Sequence, residues 1–153
     1  MKRIEVFIKP GLVDAVGDGI LKDIEDLNIG GVDDVRSIQV YHIDGDVDKA
    51  ALRRIGAELL ADPVSQEFVI GDNEGAASKG AWVVDVIYHP GVTDNVGMSA
   101  VKGIRDLGIG GVRGVRTAWR YILRGKVKRA DVDSICRRLL ANGVIQNYEI
   151  KKA

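Results

Sequence analysis

The sequence contains a single cysteine, Cys136, so no intramolecular disulfide can form, which is typical of a reducing compartment. Aromatic residues make up only 5% of the chain, which indicates a core built mainly of Val, Ile, Leu and Ala. No apolar run approaches the roughly 18 residues that a membrane-spanning helix needs. The N-terminus also lacks the apolar region of a signal peptide. The sequence therefore predicts a cytoplasmic protein without a membrane partner.

The chain does contain an internal repeat. The segment KPGLVDAVG at residues 9–17 returns eighty residues later as HPGVTDNVG. With this offset and no gap, 27 of 73 aligned positions are identical, far more than unrelated segments share. We divide the chain into repeat 1 (residues 1–71), a linker of small and polar residues (72–80) and repeat 2 (81–153). Each repeat is near the lower size limit for a self-sufficient core, so we expect them to pack as a pseudo-twofold pair.

The net charge of zero conceals an acidic repeat and a basic one. Residues 1–80 hold 9 Lys and Arg against 16 Asp and Glu, whereas residues 81–153 hold 13 against 6. The contrast is sharpest where VYHIDGDVDK at residues 40–49 aligns with RYILRGKVKR at residues 120–129. A protein-contact surface, or attraction between the repeats, explains this pattern better than nucleic-acid binding does. The two charges cancel at long range, and no base-stacking motif is present.

The first half of each repeat is predicted to be a strand followed by a helix. Residues 2–9 alternate between apolar and polar side chains, which indicates a half-buried strand. Asp14 and Asp94 stand before a helical spacing of apolar residues and are expected to be N-caps. Asn28 and Gly108 follow the last apolar position and are expected to end the helix in the left-handed conformation.

The second half of each repeat begins with a β-rich stretch at about residues 33–43 and 113–123, long enough for one bent strand or for a hairpin. A helix follows from near Asp48 or Arg129, and a last strand takes residues 64–70 or 144–150. The fold class is therefore α+β, with two tandem β-α-β-α-β repeats related to ferredoxin-like folds.

Two candidate ligand loops fail on their spacing. The glycines at residues 108–111 close a helix, whereas a phosphate loop must open one. Asp44, Asp46 and Asp48 resemble the start of a calcium loop, but the glycine and glutamate that such a loop needs further on are missing. We interpret these aspartates as a solvated turn and a helix start.

The residues with the most reactive side chains do not form a catalytic pattern. His42 and His89 lie at non-equivalent positions of the two repeats, and no spacing typical of metal ligands occurs. Cys136 lies on the apolar face of a predicted helix, which favours a buried thiol over a nucleophile. With no acid-base pair in either repeat, the sequence favours a non-catalytic interaction protein that binds no metal and no cofactor.

Each of the two repeats has segments that resemble the PurS family, so the resemblance covers almost the whole chain. LLADPVSQEF at residues 59–68 and LLANGVIQNY at 139–148 are similar to the family's LLANPVIEDY ending, with Gly143 in place of its proline and Gln66 and Gln146 in place of an acidic residue. DAVG and DNVG, which begin at Asp14 and Asp94, resemble its DPxG helix start. The VR pairs that end at Arg36 and Arg116 resemble its VR strand. The tandem is also similar to the N-terminal region of fused PurS–PurL synthetases.

The resemblance implies a role in purine biosynthesis. PurS is the small, non-catalytic subunit of phosphoribosylformylglycinamidine synthase, a ligase complex in which it bridges a PurL-type synthetase and a PurQ-type glutaminase. The resemblance also implies that one tandem chain corresponds to a PurS dimer and can self-associate. ATP, Mg and glutamine are then used by the partner subunits. The residues it marks as family-motif or interface candidates are Asp14, Gly17, Arg36, Asp62, Pro63, Asp94, Gly97, Arg116 and Asn142.

Two other functions are compatible with the sequence. Paired ferredoxin-like units can bind ligands at their interface, which would make the chain a small-molecule-binding regulatory domain. The basic stretch of repeat 2 would suit a nucleic-acid binder, whose retention on nucleic acid would depend steeply on salt. We rank both below the scaffold role, so no nucleic-acid partner is expected.

Overall fold

The computed structural model describes residues 1–72 and 79–153, so the predicted linker lies for the most part outside the described residues. Both repeats have the predicted order of elements, and the α+β class is confirmed. Repeat 1 contains β1 (Lys2–Ile8), α1 (Ala15–Asp26), β2 (Val32–Gly45), α2 (Lys49–Ile55) and β3 (Gln66–Ile70). Repeat 2 contains β4 (Trp82–Tyr88), α3 (Asn95–Asp106), β5 (Val112–Gly125), α4 (Arg129–Ile135) and β6 (Gln146–Lys152).

The middle strand of each repeat is one continuous strand of 14 residues. β1 pairs with β2 in antiparallel register from Lys2 opposite Ile43 to Phe7 opposite Ile38, so no hairpin interrupts the middle strand. The strand interior lacks proline and carries β-branched and aromatic residues, which favours one extended segment. Of the two alternatives that the sequence left open, the structure shows the single strand.

The predicted helix ends are confirmed. Asp14 and Asp94 are the N-caps of α1 and α3, and each carboxylate accepts a backbone hydrogen bond from the third residue beyond it. Asn28 has a φ of 59° and Gly108 a φ of 79°, the left-handed conformation that closes a helix. Asn28 is the single non-glycine residue with positive φ among the described residues. Asparagine adopts this conformation more often than most other non-glycine residues do.

The second helix of each repeat ends in a π-helical turn, Gly56–Leu60 in repeat 1 and Cys136–Leu140 in repeat 2. The N–H of Ala61 donates to the carbonyl of Gly56 at 3.0 Å, and Ala141 donates to Cys136 at 2.9 Å. The apolar periodicity predicted helix here but did not predict the wider turn, because both helices keep an apolar face.

The chain forms two compact units, and each unit takes segments from both repeats. Of the described residues, unit 1 contains 1–12, 38–72 and 93–118, and unit 2 contains 13–37, 79–92 and 119–153. Unit 1 therefore combines α2 of repeat 1 with α3 of repeat 2, and unit 2 combines α4 of repeat 2 with α1 of repeat 1. The first helix of each repeat lies in the unit of the other repeat's second helix.

Unit 1 has the strand order β3-β1-β2-β5, to which β2 contributes its later half and β5 its earlier half. β1 is antiparallel to both neighbours. At Gly103 of α3 an added Cβ would lie 2.6 Å from the Leu59 side chain, so the helix packs closely on the π-helical turn. The buried core of unit 1 consists of Ile4, Val6, Tyr41, Ile43, Val47, Leu52, Ile55, Ala61, Ala100, Ile104, Ile109 and Val115.

Unit 2 has the strand order β2-β5-β4-β6, to which β2 contributes its earlier half and β5 its later half. β4 and β6 are antiparallel, from Trp82 opposite Lys152 to Tyr88 opposite Gln146. The indole N–H of Trp82 donates to the carbonyl of Val127 at 3.0 Å, so its polar group is satisfied. The buried core consists of Ile24, Val32, Val35, Trp82, Val84, Val86, Tyr121, Leu123, Val127, Val132, Ile135, Cys136 and Leu140.

The second helices differ in their N-caps, which leads to a stability prediction. Asp48 accepts a hydrogen bond from the N–H of Ala51 at 2.8 Å, whereas Lys128, the N-cap of α4, makes no side-chain cap bond. We expect Asp48→Ala to lower the free energy of unfolding by about 1 kcal/mol and Lys128→Asp to raise it by a similar amount. Urea unfolding of both variants measures this. Asp46→Ala, which removes no cap, is the control, and a Lys128→Asp variant no more stable than the parent would contradict the prediction.

Candidate functional site

Asp14 and Gly17 of repeat 1 attach the start of α1 to the middle of β2. Asp14 is 3% exposed. One carboxylate oxygen accepts from the N–H of Gly17 at 3.0 Å, and the other accepts from the N–H of Ser37 at 2.7 Å. The Ser37 hydroxyl also donates to this carboxylate at 2.8 Å. An added Cβ on Gly17 would lie 2.1 Å from the carbonyl oxygen of Val35, so the helix touches the strand backbone.

Repeat 2 has the same attachment in unit 1. Asp94 is buried and accepts from the N–H of Gly97 at 2.8 Å and from the N–H of Thr117 at 2.6 Å. An added Cβ on Gly97 would lie 2.2 Å from the carbonyl oxygen of Val115. We call these two arrangements the helix clamps. Their four predicted site residues are interior groups whose hydrogen bonds hold the fold together.

The VR segments belong to the same arrangements. Arg36 lies between Val35, whose carbonyl meets Gly17, and Ser37, whose N–H meets Asp14. Arg116 has the equivalent position between Val115 and Thr117. Both arginines are partly buried. The structure thus brings the DxxG and VR motifs together. The sequence analysis did not identify Ser37 and Thr117. The pattern that could have identified them is the hydroxyl residue that follows the shared arginine in each repeat.

Each helix clamp lies near a tyrosine from the other repeat. Burial raises the pKa of Tyr121 to about 12, and the negative charge of Asp14 adds to the effect. Burial and the charge of Asp94 likewise raise the pKa of Tyr41. Both phenols are therefore neutral over the physiological range, and each unit holds a tyrosine of one repeat beside the clamp of the other.

Asp62 and Asn142 build the turn before the last strand of their repeats. An oxygen of the Asp62 side chain accepts from the N–H of Val64 at 2.9 Å, and that of Asn142 accepts from Val144 at 3.1 Å. The side-chain carbonyls of the glutamines four residues on, Gln66 and Gln146, accept from the backbone N–H of Asp62 and Asn142. Asp and Asn are equivalent here because only an oxygen acceptor is needed. These turns also explain why β3 and β6 begin two residues later than predicted.

A loop from the end of the first strand packs against each turn. In repeat 1 the N–H of Lys9 donates to the carbonyl of Ser65 at 2.9 Å, and the Lys9 ammonium donates to the carbonyl of Pro63 at 2.6 Å. In repeat 2 the N–H of His89 donates to the carbonyl of Ile145 at 2.8 Å. The His89 Nε2 atom is buried with no hydrogen-bond partner among the described residues.

These loops and turns form two related surfaces with exposed apolar side chains. We define turn surface 1 as Lys9, Leu12 and residues 62–64, and turn surface 2 as residues 89–90 and 142–144. Val64 is 79% exposed and its equivalent Val144 is 82% exposed, although both are aliphatic. A valine kept at the exposed tip of the same turn in both repeats is a candidate contact for another protein. Of the predicted site residues, Asp62, Pro63 and Asn142 lie on these surfaces.

The basic stretch of repeat 2 is engaged in the fold more than the sequence indicated. Arg120 is 3% exposed and makes a bidentate ion pair with Asp85 at 2.6 and 3.0 Å. Arg124 pairs with Asp34 of repeat 1 at 2.8 Å in unit 2. Outside this stretch, Arg113 of repeat 2 pairs with Asp44 of repeat 1 at 3.0 Å in unit 1. This geometry favours the interpretation in which opposite charges attract the repeats to each other.

Small clefts are found in unit 1. One of about 320 Å³ lies beside turn surface 1 and is lined by Lys9, Ala57, Ala61, Pro63, Gln66, Glu67 and Phe68.

Within residues 1–72 and 79–153 no group of three or more His, Cys, Asp or Glu residues is arranged to hold a metal ion. Cys136 is fully buried, and burial followed by the charge of Asp133 raises its pKa to about 12. Its thiol is therefore protonated at neutral pH.

Among the described helices none combines the length and apolar character that crossing a membrane requires.

Comparison with known families decides the relationship. The profile of the PurS family, described as phosphoribosylformylglycinamidine (FGAM) synthase, matches residues 2–74 and again residues 81–153. The chain belongs to the PurS family. The helix clamps and turn surfaces are thus features of two PurS repeats in one polypeptide. Membership associates the chain with FGAM synthase and, through that activity, with purine biosynthesis.

One solved structure provides a further comparison. PurS of Methanocaldococcus jannaschii, described as one of the subunits of formylglycinamide ribonucleotide amidotransferase in the purine biosynthetic pathway, is 28% identical. The match covers 46% of this PurS-family chain and 92% of the other, with a TM-score of 0.37. No functionally curated protein was found to match the chain.

Two glycines of α1 test the helix clamp. We expect Gly17→Ala to lower the free energy of unfolding by about 1–3 kcal/mol or more, because its methyl group would overlap the Val35 carbonyl. Gly19→Ala is the matched control, since an added Cβ meets nothing within 4 Å and alanine favours a helix by up to about 1 kcal/mol over glycine. Chemical unfolding measures both. Equal stability of the two variants would contradict close helix–strand contact.

The raised pKa of Tyr121 predicts a loss of stability at alkaline pH. Its folded-state pKa of about 12 lies above the ordinary value of 10.0, so the stability that depends on the neutral phenol is complete below about pH 10. That stability is lost as the pH rises towards 12. Tyr121→Phe should therefore make the unfolding free energy fall less steeply over this range. Unfolding at a series of alkaline pH values measures the slope, and identical slopes in parent and variant would refute the assignment.

Proposed function

We propose that the chain is the non-catalytic subunit of FGAM synthase that joins a PurL-type synthetase to a PurQ-type glutaminase. In this role it lets ammonia released from glutamine reach the amidation site. ATP, Mg²⁺ and glutamine are then used by the partner subunits, and the tandem chain binds none of them. The observation that carries the proposal is the PurS match over both repeats, which places two PurS units of a synthase subunit in one chain.

The two turn surfaces support a bridging role because they are related but not identical. Both present an exposed valine on a turn held by an Asx side chain and a glutamine. Turn surface 1 adds a lysine bound to the Pro63 carbonyl, whereas turn surface 2 has His89 and Gly143 at the equivalent positions. Two surfaces with the same backbone arrangement but different side chains suit two different partners. A homodimer must present the same surface twice, whereas a tandem chain can present two different ones.

Reconstitution with the PurL-type and PurQ-type subunits from the same source tests the proposal. Synthase activity is assayed with glutamine and, separately, with ammonia, each with and without this chain. We expect activity with glutamine to require the chain and activity with ammonia to be independent of it. A chain that binds neither subunit and changes neither activity would contradict the proposal.

Charged substitutions at the turn tips locate the contacts. We expect Val64→Asp and Val144→Asp each to weaken binding of one partner by tenfold or more, about the effect of losing a central apolar contact. Both side chains point to solvent, so stability should stay within about 0.5 kcal/mol of the parent. Met98→Asp is the control, since this residue of α3 is 64% exposed and lies outside both turn surfaces. Binding that is unaffected by both valine substitutions, or weakened equally by Met98→Asp, would exclude the turn surfaces as contacts.

A small-molecule-binding regulatory domain is the second candidate. The cleft of about 320 Å³ beside turn surface 1 favours it, because this volume is at the lower end for small-molecule sites and the lining includes Lys9 and Glu67. Thermal stabilisation of the chain by amino acids or nucleotides would support this function. Absence of any shift, together with a glutamine-dependent effect on the synthase, would support the scaffold.

A further inference from the structure

Two sites of ion pairing between the repeats, one in each unit, have the same direction of charge. In unit 1 the Nη2 atom of Arg113 lies 3.0 Å from a carboxylate oxygen of Asp44, and its Nη1 atom lies 4.0 Å from Asp46. In unit 2 the Nη1 atom of Arg124 lies 2.8 Å from Asp34. Each pair joins an acid of repeat 1 to a base of repeat 2, at an end of the β2–β5 pairing.

Close backbone contacts fix the register at these strand ends. The N–H of Asp46 donates to the carbonyl of Gly111 at 3.0 Å, and an added Cβ on Gly45 would lie 2.1 Å from the same oxygen. In unit 2 an added Cβ on Gly125 would lie 2.0 Å from the carbonyl oxygen of Gly31. Because only glycine fits these contacts, β2 and β5 cannot slide, and the charged side chains stay opposite one another.

The repeat offset shows what other pairings would bring together. Asp33 is the equivalent of Arg113, and Asp44 is the equivalent of Arg124. Two copies of repeat 1 paired in this register would therefore place Asp33 opposite Asp44 at both ends. Two copies of repeat 2 would place Arg113 opposite Arg124. Pairing of like repeats would juxtapose like charges, whereas pairing of unlike repeats juxtaposes opposite charges.

We infer that these charges select the pairing partner, so that the β2 surface of repeat 1 accepts the β5 surface of repeat 2 and excludes a second copy of repeat 1 from another chain. The selection depends on the difference in free energy between the pairing of unlike repeats, which attract, and the pairing of like repeats, which repel. The exposed ion pairs contribute little to stability by themselves. The division into an acidic and a basic repeat thereby keeps a chain with two similar surfaces from joining like to like.

A charge exchange within the full chain separates selection from stability. In the double variant Asp44→Arg with Arg113→Asp, the pair within the chain stays opposite in sign and the net charge is unchanged. Repeat 1 then carries an acid at Asp33 and a base at position 44, so pairing of two repeat 1 copies becomes attractive. The matched control exchanges Arg54 and Glu58, an exposed ion pair at 2.8 Å within the second helix of repeat 1.

Mixed multimers report the selection. Equal amounts of ¹⁵N-labelled and unlabelled chain are unfolded together, refolded at low ionic strength and analysed by native mass spectrometry. We expect the double variant to form several-fold more mixed-mass multimers than the parent and the Arg54/Glu58 control. High salt should remove the difference, because it screens exposed charges. A folded double variant with the parent's multimer fraction, or an excess that high salt does not reduce, would overturn the inference.

The opposite end of the pairing provides a second variant should the first fail to fold. Asp34→Arg with Arg124→Asp exchanges the charges in unit 2, where the pair is less exposed. Repeat 2 then carries a base at Arg113 and an acid at position 124, so pairing of two repeat 2 copies becomes attractive. The same rise in mixed multimers and the same salt dependence are expected. A folded variant without that rise would count against selection as decisively as the first.

Discussion

The buried carboxylate that caps the first helix of each repeat is the interaction on which the rest of the structure depends. Asp14 satisfies the helix N-terminus and two donors of Ser37 at once, so the helix direction is tied to the middle of a 14-residue strand. Gly17 lets the helix approach the strand backbone. A buried carboxylate is unfavourable unless its oxygens accept hydrogen bonds, and this one accepts several. Repeat 2 uses Asp94, Gly97 and Thr117 in the same way.

The clamp also has a consequence for how the repeats depend on each other. α1 belongs to unit 2, whose core includes Val132 and Ile135 of repeat 2, and α3 belongs to unit 1 with Leu52 and Ile55 of repeat 1. Each repeat therefore completes a core that contains the other repeat's second helix. A tandem chain suits this arrangement, because covalent linkage supplies the second repeat at high effective concentration.

Much of this fold could be predicted from the sequence, because the same signals occur twice. Local chemistry determines the apolar spacing, the caps at Asp14 and Asp94, and the helix ends at Asn28 and Gly108. These features can therefore be identified from the residue types and their spacing. The exchange of segments between units is different, since it depends on long-range packing that no local pattern encodes. The π-helical turns were missed for a related reason, because an apolar helix face looks the same whether the last turn is α or π.

The candidate site was harder to predict than the fold. Motif resemblance marked Asp14 and Gly17 together with Asp62, but it could not separate residues that stabilise the fold from residues that lie on the surface. Burial makes that separation: the clamp residues are interior, whereas Val64 and Val144, which resemblance did not mark, are 79% and 82% exposed. Exposure of one valine depends on where the Asx turn directs it, which is a property of the folded backbone.

In the proposed role, one tandem chain holds both partner subunits at the same time. Native mass spectrometry of the chain mixed with its PurL-type and PurQ-type subunits tests this most directly. We expect an assembly that contains all three polypeptides and does not form when the tandem chain is omitted. Two binary complexes that compete for the chain, or a complex of the two partners that assembles without it, would contradict a bridging role.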